Sequence, residues 1–451
     1  MKTHDAPRGA LAAALLKLDG VTDWERRDRG DGMLVGIEPL RDLLDHLGRP
    51  QRRFRTVHVA GSKGKGSVAA LIEAGLHRAG LRVGRFSSPH VERVTERVSF
   101  GGKEIGEDAF ATSLELAWTA RQDAVRRGGP GRDATRFDLE TLAAILAFAE
   151  ARVDWVVLEC GMGGRTDSTN AVDAEVAVLT NVELEHTAVL GTTHAAIAHQ
   201  KVGILKPGAT LVTGVVPDSE AGAVVWAEAQ ALACPVLFRP PAGAGQTIAE
   251  SNAGLARAVL DELGRRGVAI RETSLLHGLL AGWLLDDLTR CAARLPGRME
   301  RFDLPVAALT GNADGASSHC VPVILDGAHV PFSLEAVLAE LDDLTELGGP
   351  CAVVFGLGRD KQVREILGVL RHRTALVICT QATGGPPAFS PTELRSLAEA
   401  AGLAAEAIVH PDEALARAVM AVAARGWILV TGSLHIVGEV RPILRRMLAV
   451  G

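Results

Sequence analysis

Tyrosine is absent from the 451 residues, and phenylalanine and tryptophan bring the aromatic share to only 4%. With alanine and glycine abundant, that scarcity reads as compositional bias without functional content. Cysteine is sparse as well: Cys160, Cys234, Cys291, Cys320, Cys351 and Cys379 are scattered with no Cys-x-x-Cys spacing. The pattern excludes a disulfide framework and a zinc site, and leaves reduced, mostly buried thiols. No uninterrupted apolar run approaches the length of a membrane span, so none is expected. Neither charge sign dominates, with 48 Lys+Arg against 54 Asp+Glu and a net charge of −6. Such a balance offers no electrostatic footprint for nucleic acid or an anionic membrane, and neither is expected as a partner. The short apolar stretch Ala10–Leu16 is followed by Lys17 and Asp19 and lacks a small-residue cleavage site. No secretory leader is expected on that ground, and a cytoplasmic location is.

What is present is the composition of an ordinary globular protein, 47% hydrophobic and 23% charged with a pI near 6.2. A collagen, a coiled coil and a disordered tail protein are excluded, and the length predicts two or three domains with a core each. Runs rich in Val, Ile and Leu at Thr56–Ala60, Val153–Cys160, Val176–Thr180 and Thr210–Val216 are continuous rather than alternating. Continuous runs predict strands buried on both faces, as in a parallel sheet. Segments of helical period lie between them, at Ser67–Ala79, Glu107–Arg127, Leu139–Ala151 and Thr193–Lys201. The alternation predicts a doubly wound α/β domain with a three-layer core.

Near residue 300 the pattern restarts, with strands expected at Val321–Leu325, Cys351–Phe355, Ala375–Thr380 and Trp427–Thr431. Helices are expected at Leu334–Leu347, Lys361–Arg373, Pro391–Ala401 and Asp412–Ala424, making a second, smaller α/β unit. Arg294–Glu300, with Pro296 and Gly297, is the expected linker, and Arg239–Gly245 and Thr383–Pro387 are expected surface loops. No internal repeat of fixed period is present.

After the first strand comes Ala-Gly-Ser-Lys-Gly-Lys-Gly-Ser, residues 60–67, and then a helix. Strand, glycine-rich loop and helix is an arrangement that cradles phosphates. The glycines let N–H groups converge, the helix N-terminus adds partial positive charge, Lys65 offers a cation to the β/γ-phosphates and Ser67 a hydroxyl to Mg²⁺. The spacing departs from the Walker A pattern, because Gly61 lies four residues before Lys65 and Gly66 separates Lys65 from Ser67. A glycine-rich turn without a ligand is the alternative, and the strand and helix around the loop favour the phosphate reading.

Glu159 ends its apolar run, and a carboxylate at the carboxyl end of a parallel strand faces the crevice where α/β proteins bind ligands. One such carboxylate plus nucleotide phosphates suffices for Mg²⁺, which keeps several waters; a salt-bridged Glu at the sheet edge is the bland alternative. His186, in Glu-Leu-Glu-His, reads more readily as a hydrogen-bonded structural residue than as a ligand. Lys201 closes a helix and on its own reads as a solvated cation. In the second unit Asp326–His329, Asp360 with Lys361, and Gly432–His435 follow strands in the same way. Phosphate, metal and carboxylate candidates collected at strand ends predict a nucleotide-using enzyme.

Several motifs then stand in one order: the run from His58 to Ser67, Ser-Ser-Pro-His at 87–90, Glu-Cys-Gly-Met-Gly-Gly-Arg-Thr-Asp-Ser-Thr-Asn at 159–170, Lys-Val-Gly-Ile-Leu-Lys at 201–206, Pro-Gly-Arg at 296–298 and Asp-Gly-Ala-His at 326–329. In that order and spacing they closely resemble the folylpolyglutamate synthase/dihydrofolate synthase family of Mur-type ligases, over nearly the whole chain. The resemblance implies a larger P-loop-type, mostly parallel sheet domain at 1–297 that binds ATP and folate, and a smaller Rossmann-like glutamate ligase domain at 298–451. It implies that a folate-side carboxylate, of dihydropteroate or a tetrahydrofolate polyglutamate, takes the γ-phosphoryl group of ATP. The amine of L-glutamate then attacks the acyl phosphate.

By the same likeness Gly64, Lys65, Gly66 and Ser67 hold phosphates, and Asn252, Arg298, Asp326 and His329 contact the nucleotide. Ser67, Ser88 and Glu159 hold one Mg²⁺ and His186 a second. Lys201 matches a lysine that CO₂ converts into an anionic carbamate ligand, which places Lys65, His186 and Lys201 at the chemistry. Gly36, Ile37, Glu38, Thr135, Phe137, Thr166, Asp167 and Ser168 are implied on the pterin side, with Asp167 favoured for bonding the pterin edge. The implied partners are small molecules, and a monomer is expected.

Departures from the family pattern also stand in this sequence. Ser62-Lys63 replaces Thr-Asn, Glu185 replaces the Asp before the histidine, Val330 replaces an Asn, and Ile248-Ala249 stand where a His-Gln pair is usual. Another Mur-type amino acid ligase, and a nucleotide-binding paralogue without catalysis, are the alternative readings.

Overall fold

The four continuous apolar runs become the centre of one sheet. In the computed structural model, which describes residues 9–25, 36–241, 247–268, 285–305, 320–344, 347–371, 373–422 and 426–449, they form β1 (Arg55–Ala60), β5 (Trp155–Glu159), β6 (Val176–Leu179) and β7 (Thr210–Thr213). Around them lie β2 (Val83–Phe86), β3 (Val98–Phe100), β4 (Lys103–Glu104) and β8 (Val236–Phe238), in the order β4-β3-β2-β5-β1-β6-β7-β8. Strands β2, β5, β1, β6, β7 and β8 run parallel, and β3 pairs antiparallel with β2 and with β4 at one edge.

Alternate residues of the central strands feed opposite faces. Val156 and Leu158 join Phe86, Leu139, Leu142 and Phe148 beneath helices Glu107–Arg127 and Arg136–Glu150. Val57, Val59, Val157 and Val176 join Ile72, Leu255 and Val259 under helices Lys65–Arg78 and Ile248–Arg265. Each buried Val, Leu, Ile or Phe contributes about 1.5–3 kcal/mol, so the two layers fix the sheet between them.

The strand β2 was not expected, and its composition explains why. Arg85 lies inside it, buried, and donates to Glu73 of helix Lys65–Arg78 at 2.7 Å. Glu73 also accepts from Ser99 at 2.8 Å and from the Gly102 amide at 2.9 Å. A charge in a strand interior is tolerable only with such partners, which come from other elements.

The chain divides into two compact units, with the break between Arg294 and Leu295. The second unit holds a sheet of β9 (Glu300–Pro305), β10 (Cys320–Leu325), β11 (Cys351–Phe355), β12 (Leu376–Cys379), β13 (Ala405–Ala407) and β14 (Trp427–Thr431). Its order is β13-β12-β11-β14-β10-β9, parallel except for β9 at the edge. Helices Pro331–Asp342, Val363–Leu370, Pro391–Ala400, Pro411–Val422 and Leu434–Ala449 accompany it. Both units are therefore α/β, as the apolar patterning predicts.

Residues 242–245 of the expected Arg239–Gly245 loop lie outside the described residues. So do 345–346, 372 and 423–424 within three of the expected helices, and residues 1–8 at the amino terminus. Among the described residues no helix is long and apolar enough to cross a membrane.

Candidate functional site

Neighbouring parallel strands carry their carboxyl ends to one edge of the first sheet. There β2 runs into Ser87 and Ser88, β5 ends on Glu159, β1 leads into the glycine-rich loop, and β6 leads through Asn181 to Glu185 and His186.

The loop takes its shape from its own glycines and from protein contacts. Gly61 and Gly64 have φ of 147° and 80°, where L side chains are strained. A Cβ at Gly61 would overlap Thr180 Oγ1, and one at Gly64 would overlap Asn252 Oδ1. Thr180 Oγ1 donates to the Lys63 carbonyl at 2.6 Å, and the Lys63 amide donates to Asn181 Oδ1 at 2.9 Å. Helix Lys65–Arg78 begins directly after Gly64 with no side chain capping it. Its first amides, with Gly66 and Ser67 in the first turn, are therefore available to an anion. Lys65 Nζ donates to the carbonyls of Gly61 at 3.0 Å and Ser62 at 3.4 Å, which folds the ammonium back over the loop.

Beside the loop strand, the Ser88 amide donates to Glu159 Oε2 at 3.3 Å. Both residues are buried, and Ser88 Oγ has no hydrogen-bond partner among the described residues. An orphaned buried hydroxyl next to a buried carboxylate is a pair of hard oxygen donors, the chemistry that Mg²⁺ takes. Among the described residues no three of His, Cys, Asp and Glu are grouped so as to hold a metal by themselves. A cation at this edge would draw on hydroxyl and phosphate oxygens as well as on Glu159.

Lys201 is not a solvated helix-end cation. It is 1% exposed, and its Nζ donates to the Gly61 carbonyl at 2.9 Å and to Glu185 Oε1 at 3.0 Å. Lys63 Nζ lies 3.5 Å from Glu185 Oε2. Burial would raise the Glu185 carboxyl, yet Lys201, Lys65 and Lys63 hold it well below the usual carboxylate range. Burial also lowers the Lys201 ammonium, opposed by Glu185. His186 occupies the left-handed region, φ 49°, at the start of the short helix Thr187–Leu190.

The residues implied on the pterin side gather on the other face. Gly36 and Ile37 lead into helix Glu38–His46, which packs on the turn Ser168–Ala171, as does helix Arg136–Glu150. Thr135 caps that second helix, and its hydroxyl and the Ser168 hydroxyl both donate to Asp138, at 2.7 and 2.6 Å. Phe137 lies against Phe86 with the two rings tilted, centroids 5.8 Å apart, and faces Gly161, where a Cβ would meet its ring at 2.7 Å. Asp167, next to Thr166, accepts from the Met162 amide at 2.9 Å and the Thr169 amide at 3.0 Å. Burial raises the carboxyls of both Asp138 and Asp167.

Arg298, Asp326 and His329 come together within the second unit. Asp326 accepts from the Met299 amide at 2.9 Å and the Ala328 amide at 2.9 Å, and His329 Nδ1 lies 2.8 Å from the Gly327 carbonyl. Val330, where the family pattern has Asn, precedes helix Pro331–Asp342, and Ile248 opens helix Ile248–Arg265, which carries Asn252 to Gly64.

Reading by motif missed Asn181, which holds the loop backbone, and Asp138, which joins Thr135 to Ser168. Asn181 follows directly on an expected strand, so its position was a signal. Asp138, three residues into a capped helix, was signalled only by the Thr-x-x-Asp capping spacing.

Residues 59–239 match the family model for the Mur ligase middle domain, and residues 313–434 match that for the Mur ligase glutamate ligase domain. The chain is 30% identical over 429 residues to the dihydrofolate synthase/folylpolyglutamate synthase of Bacillus subtilis, covering 92% of this chain and 96% of that protein. It is 33% identical over 425 residues to a probable bifunctional folylpolyglutamate synthase/dihydropteroate synthase of Haloferax volcanii; the match covers 90% of this chain and 48% of that protein, so the chain spans about half of its length. The bifunctional folylpolyglutamate synthase/dihydrofolate synthase of Yersinia pestis, complexed with AMPPNP and Mn ion, superposes with a TM-score of 0.72 at 25% identity, over 98% of this chain and 100% of that one.

Proposed function

We infer the function from one premise: the chain belongs to the folylpolyglutamate synthase/dihydrofolate synthase family of Mur-type ligases. It ligates L-glutamate to a folate-type carboxylate at the expense of ATP, releasing ADP and phosphate. The acceptor is dihydropteroate, a tetrahydrofolate polyglutamate, or both. A carboxylate is a poor acyl donor, and conversion to an acyl phosphate gives it a leaving group that the glutamate amine can displace.

The observation that carries this reading at the site is the pre-shaped loop with Lys65 folded over it. Lys65 and the uncapped helix start meet the charge on the transferring phosphoryl group with little reorganisation. A divalent cation would be held by the orphaned Ser88 hydroxyl and Glu159, with Ser67 on the loop side and His186 as the ligand assigned to a second ion. When bound, the metal supplies Lewis-acid neutralisation of phosphate charge. The resemblance further assigns a carbamate to Lys201. Burial that disfavours its ammonium favours the neutral amine with which CO₂ combines. Asp167, Ser168, Thr135 and Phe137 are assigned to the pterin face, and Arg298, Asp326, His329 and Asn252 to the nucleotide. The activity needs no membrane and no nucleic acid, and we assign it to a cytoplasmic monomer.

The test is MgATP-dependent phosphate release with L-glutamate, run in parallel on dihydropteroate, tetrahydrofolate and no acceptor, with mass spectrometry of the products. A glutamate mass increment with both acceptors establishes two activities, and an increment with one names the branch. The Lys65→Ala variant should lose turnover by at least about a thousandfold while remaining folded. No increment on either acceptor by wild-type protein would overturn the reading.

A further inference from the structure

Of the oxygen donors assigned to the divalent cation, Ser67 stands in the first turn of helix Lys65–Arg78 and Ser88 follows strand β2. One buried guanidinium touches both elements. Arg85 Nε donates to Glu73 of that helix at 2.7 Å, and Arg85 Nη1 donates to Ser87 Oγ, next to Ser88. We propose that Arg85 is a positioning residue for the metal: by tying Ser87 to the helix of the phosphate loop, it sets the Ser88 hydroxyl in place relative to Glu159 and Ser67. This role rests on the metal reading of Ser88 and Glu159.

Glu73 by itself does not account for an arginine here. Its carboxylate also accepts from Ser99 Oγ at 2.8 Å and from the Gly102 amide at 2.9 Å. A compact ammonium would neutralise what remains, whereas the planar guanidinium carries a second arm, and that arm goes to Ser87. The Arg85 and Glu73 side chains are 7% and 1% exposed, and Ser87 and Ser88 are buried beside them. Charge-assisted bonds from a rigid fork, shielded from water, hold their partners in one geometry.

Ser87 is fixed at a second point, since its amide donates to the Arg97 carbonyl at 2.9 Å. Phe86 pairs in register with Leu158, so Ser87 and Glu159 are the next residues along two neighbouring parallel strands. The Ser88 amide then donates to Glu159 Oε2 at 3.3 Å, while Ser88 Oγ is left without a partner among the described residues. Of two adjacent buried hydroxyls, one is engaged by protein and the other is not. That division is expected where the first orients the segment and the second serves a ligand.

The test is Mn²⁺ binding to the full chain at saturating ADP, followed by the electron paramagnetic resonance signal of free Mn²⁺, in S87A, R85K, S87A/R85K and S88A. Thermal unfolding checks that each variant folds, and S87A carries the test if R85K does not. R85K keeps a charge for Glu73 but brings a point charge where two partners need a fork. S88A, which removes the assigned donor, should weaken Mn²⁺ binding by at least about tenfold. S87A and R85K should each weaken it about tenfold, and the double variant should be no weaker than either single, because both remove one interaction. S87T, which keeps the hydroxyl, should stay within about threefold of wild type. ADP affinity measured by calorimetry in EDTA should change less than about twofold in S87A, whereas a general loosening of the fold would lower it together with the metal affinity.

S87A that binds Mn²⁺ as wild type does, while S88A is weakened, overturns the proposal and leaves the metal reading standing. Single effects that multiply to about a hundredfold in the double variant, or a loss of metal-free ADP binding as large as the loss of metal, overturn it as well. S88A with wild-type Mn²⁺ affinity would overturn the metal reading of Ser88, and the role of Arg85 with it.

Discussion

His58 sits in the middle of β1 with its ring fully buried. Nε2 lies 2.8 Å from Thr169 Oγ1 and 3.1 Å from Cys160 Sγ, and Nδ1 has no hydrogen-bond partner among the described residues. Thr169 gives its hydroxyl proton to Asp167, so a neutral His58 can donate to Thr169 and complete a chain from the β1 core to the assigned pterin residues. A second ring proton would have no such partner. Burial accordingly pushes the His58 pKa from 6.5 down to about 3, with Lys206 adding to the effect.

The sign of the resulting pH dependence follows. Between pH 6.5 and 3 the unfolded chain binds a proton at this residue that the folded chain does not. Stability from this residue is therefore whole above 6.5 and is lost as the pH falls, by up to about 1.4 kcal/mol per pH unit. Urea unfolding should show wild type approaching, or crossing below, His58→Gln as the pH is lowered from 7 to 5. Curves that stay parallel across that range would mean that His58 is charged in the folded protein or not desolvated.

At the scale of elements, the strand, loop and helix at residues 55–78 form a unit whose geometry depends on two glycines. Alanine at Gly64 would be held in a left-handed conformation costing about 1–2 kcal/mol. Its Cβ would also displace the Asn252 side chain. The expected outcome for Gly64→Ala is a fold weakened by no more than about 2 kcal/mol in urea, with MgADP affinity reduced at least about tenfold by calorimetry. Affinity close to wild type would show that the loop tolerates a different shape.

This unit was legible because glycine spacing records backbone conformation directly in the sequence. The central strands were legible for a related reason, since burial on both faces leaves continuous apolar runs. Strand β2 was not, because Arg85 can be read as a core residue only once Glu73 and Ser99 are known to stand opposite it. Lys201 misled on residue evidence alone for the same reason. Its burial depends on Glu185 and the Gly61 carbonyl, neither of which lies within a helical turn of it in sequence. What sequence patterning conveys poorly is a charge whose counter-charge arrives from a distant segment. The site is built largely from such pairs.

At the scale of the whole molecule, each compact unit has its own sheet and its own buried residues. Val57, Val157 and Val176 are fully buried in the first, and Val323, Val353 and Leu429 in the second. Separate cores allow separate unfolding transitions, whereas a ligand stabilises only the structure that binds it. Magnesium pyrophosphate offers the loop its phosphates and lacks the adenosine, so it addresses the first unit alone. At a hundred times its Kd it would add about 2.7 kcal/mol, which for a unit of this size raises a transition by roughly 5 °C. Scanning calorimetry should therefore show two transitions, one of which rises with magnesium pyrophosphate, and the Lys65→Ala variant should abolish that rise. A single transition that moves as a whole would mean that the two cores unfold together. Two transitions that both stay still at saturating ligand would take the phosphate site away from the loop, and with it the basis for assigning Lys65 and Ser67.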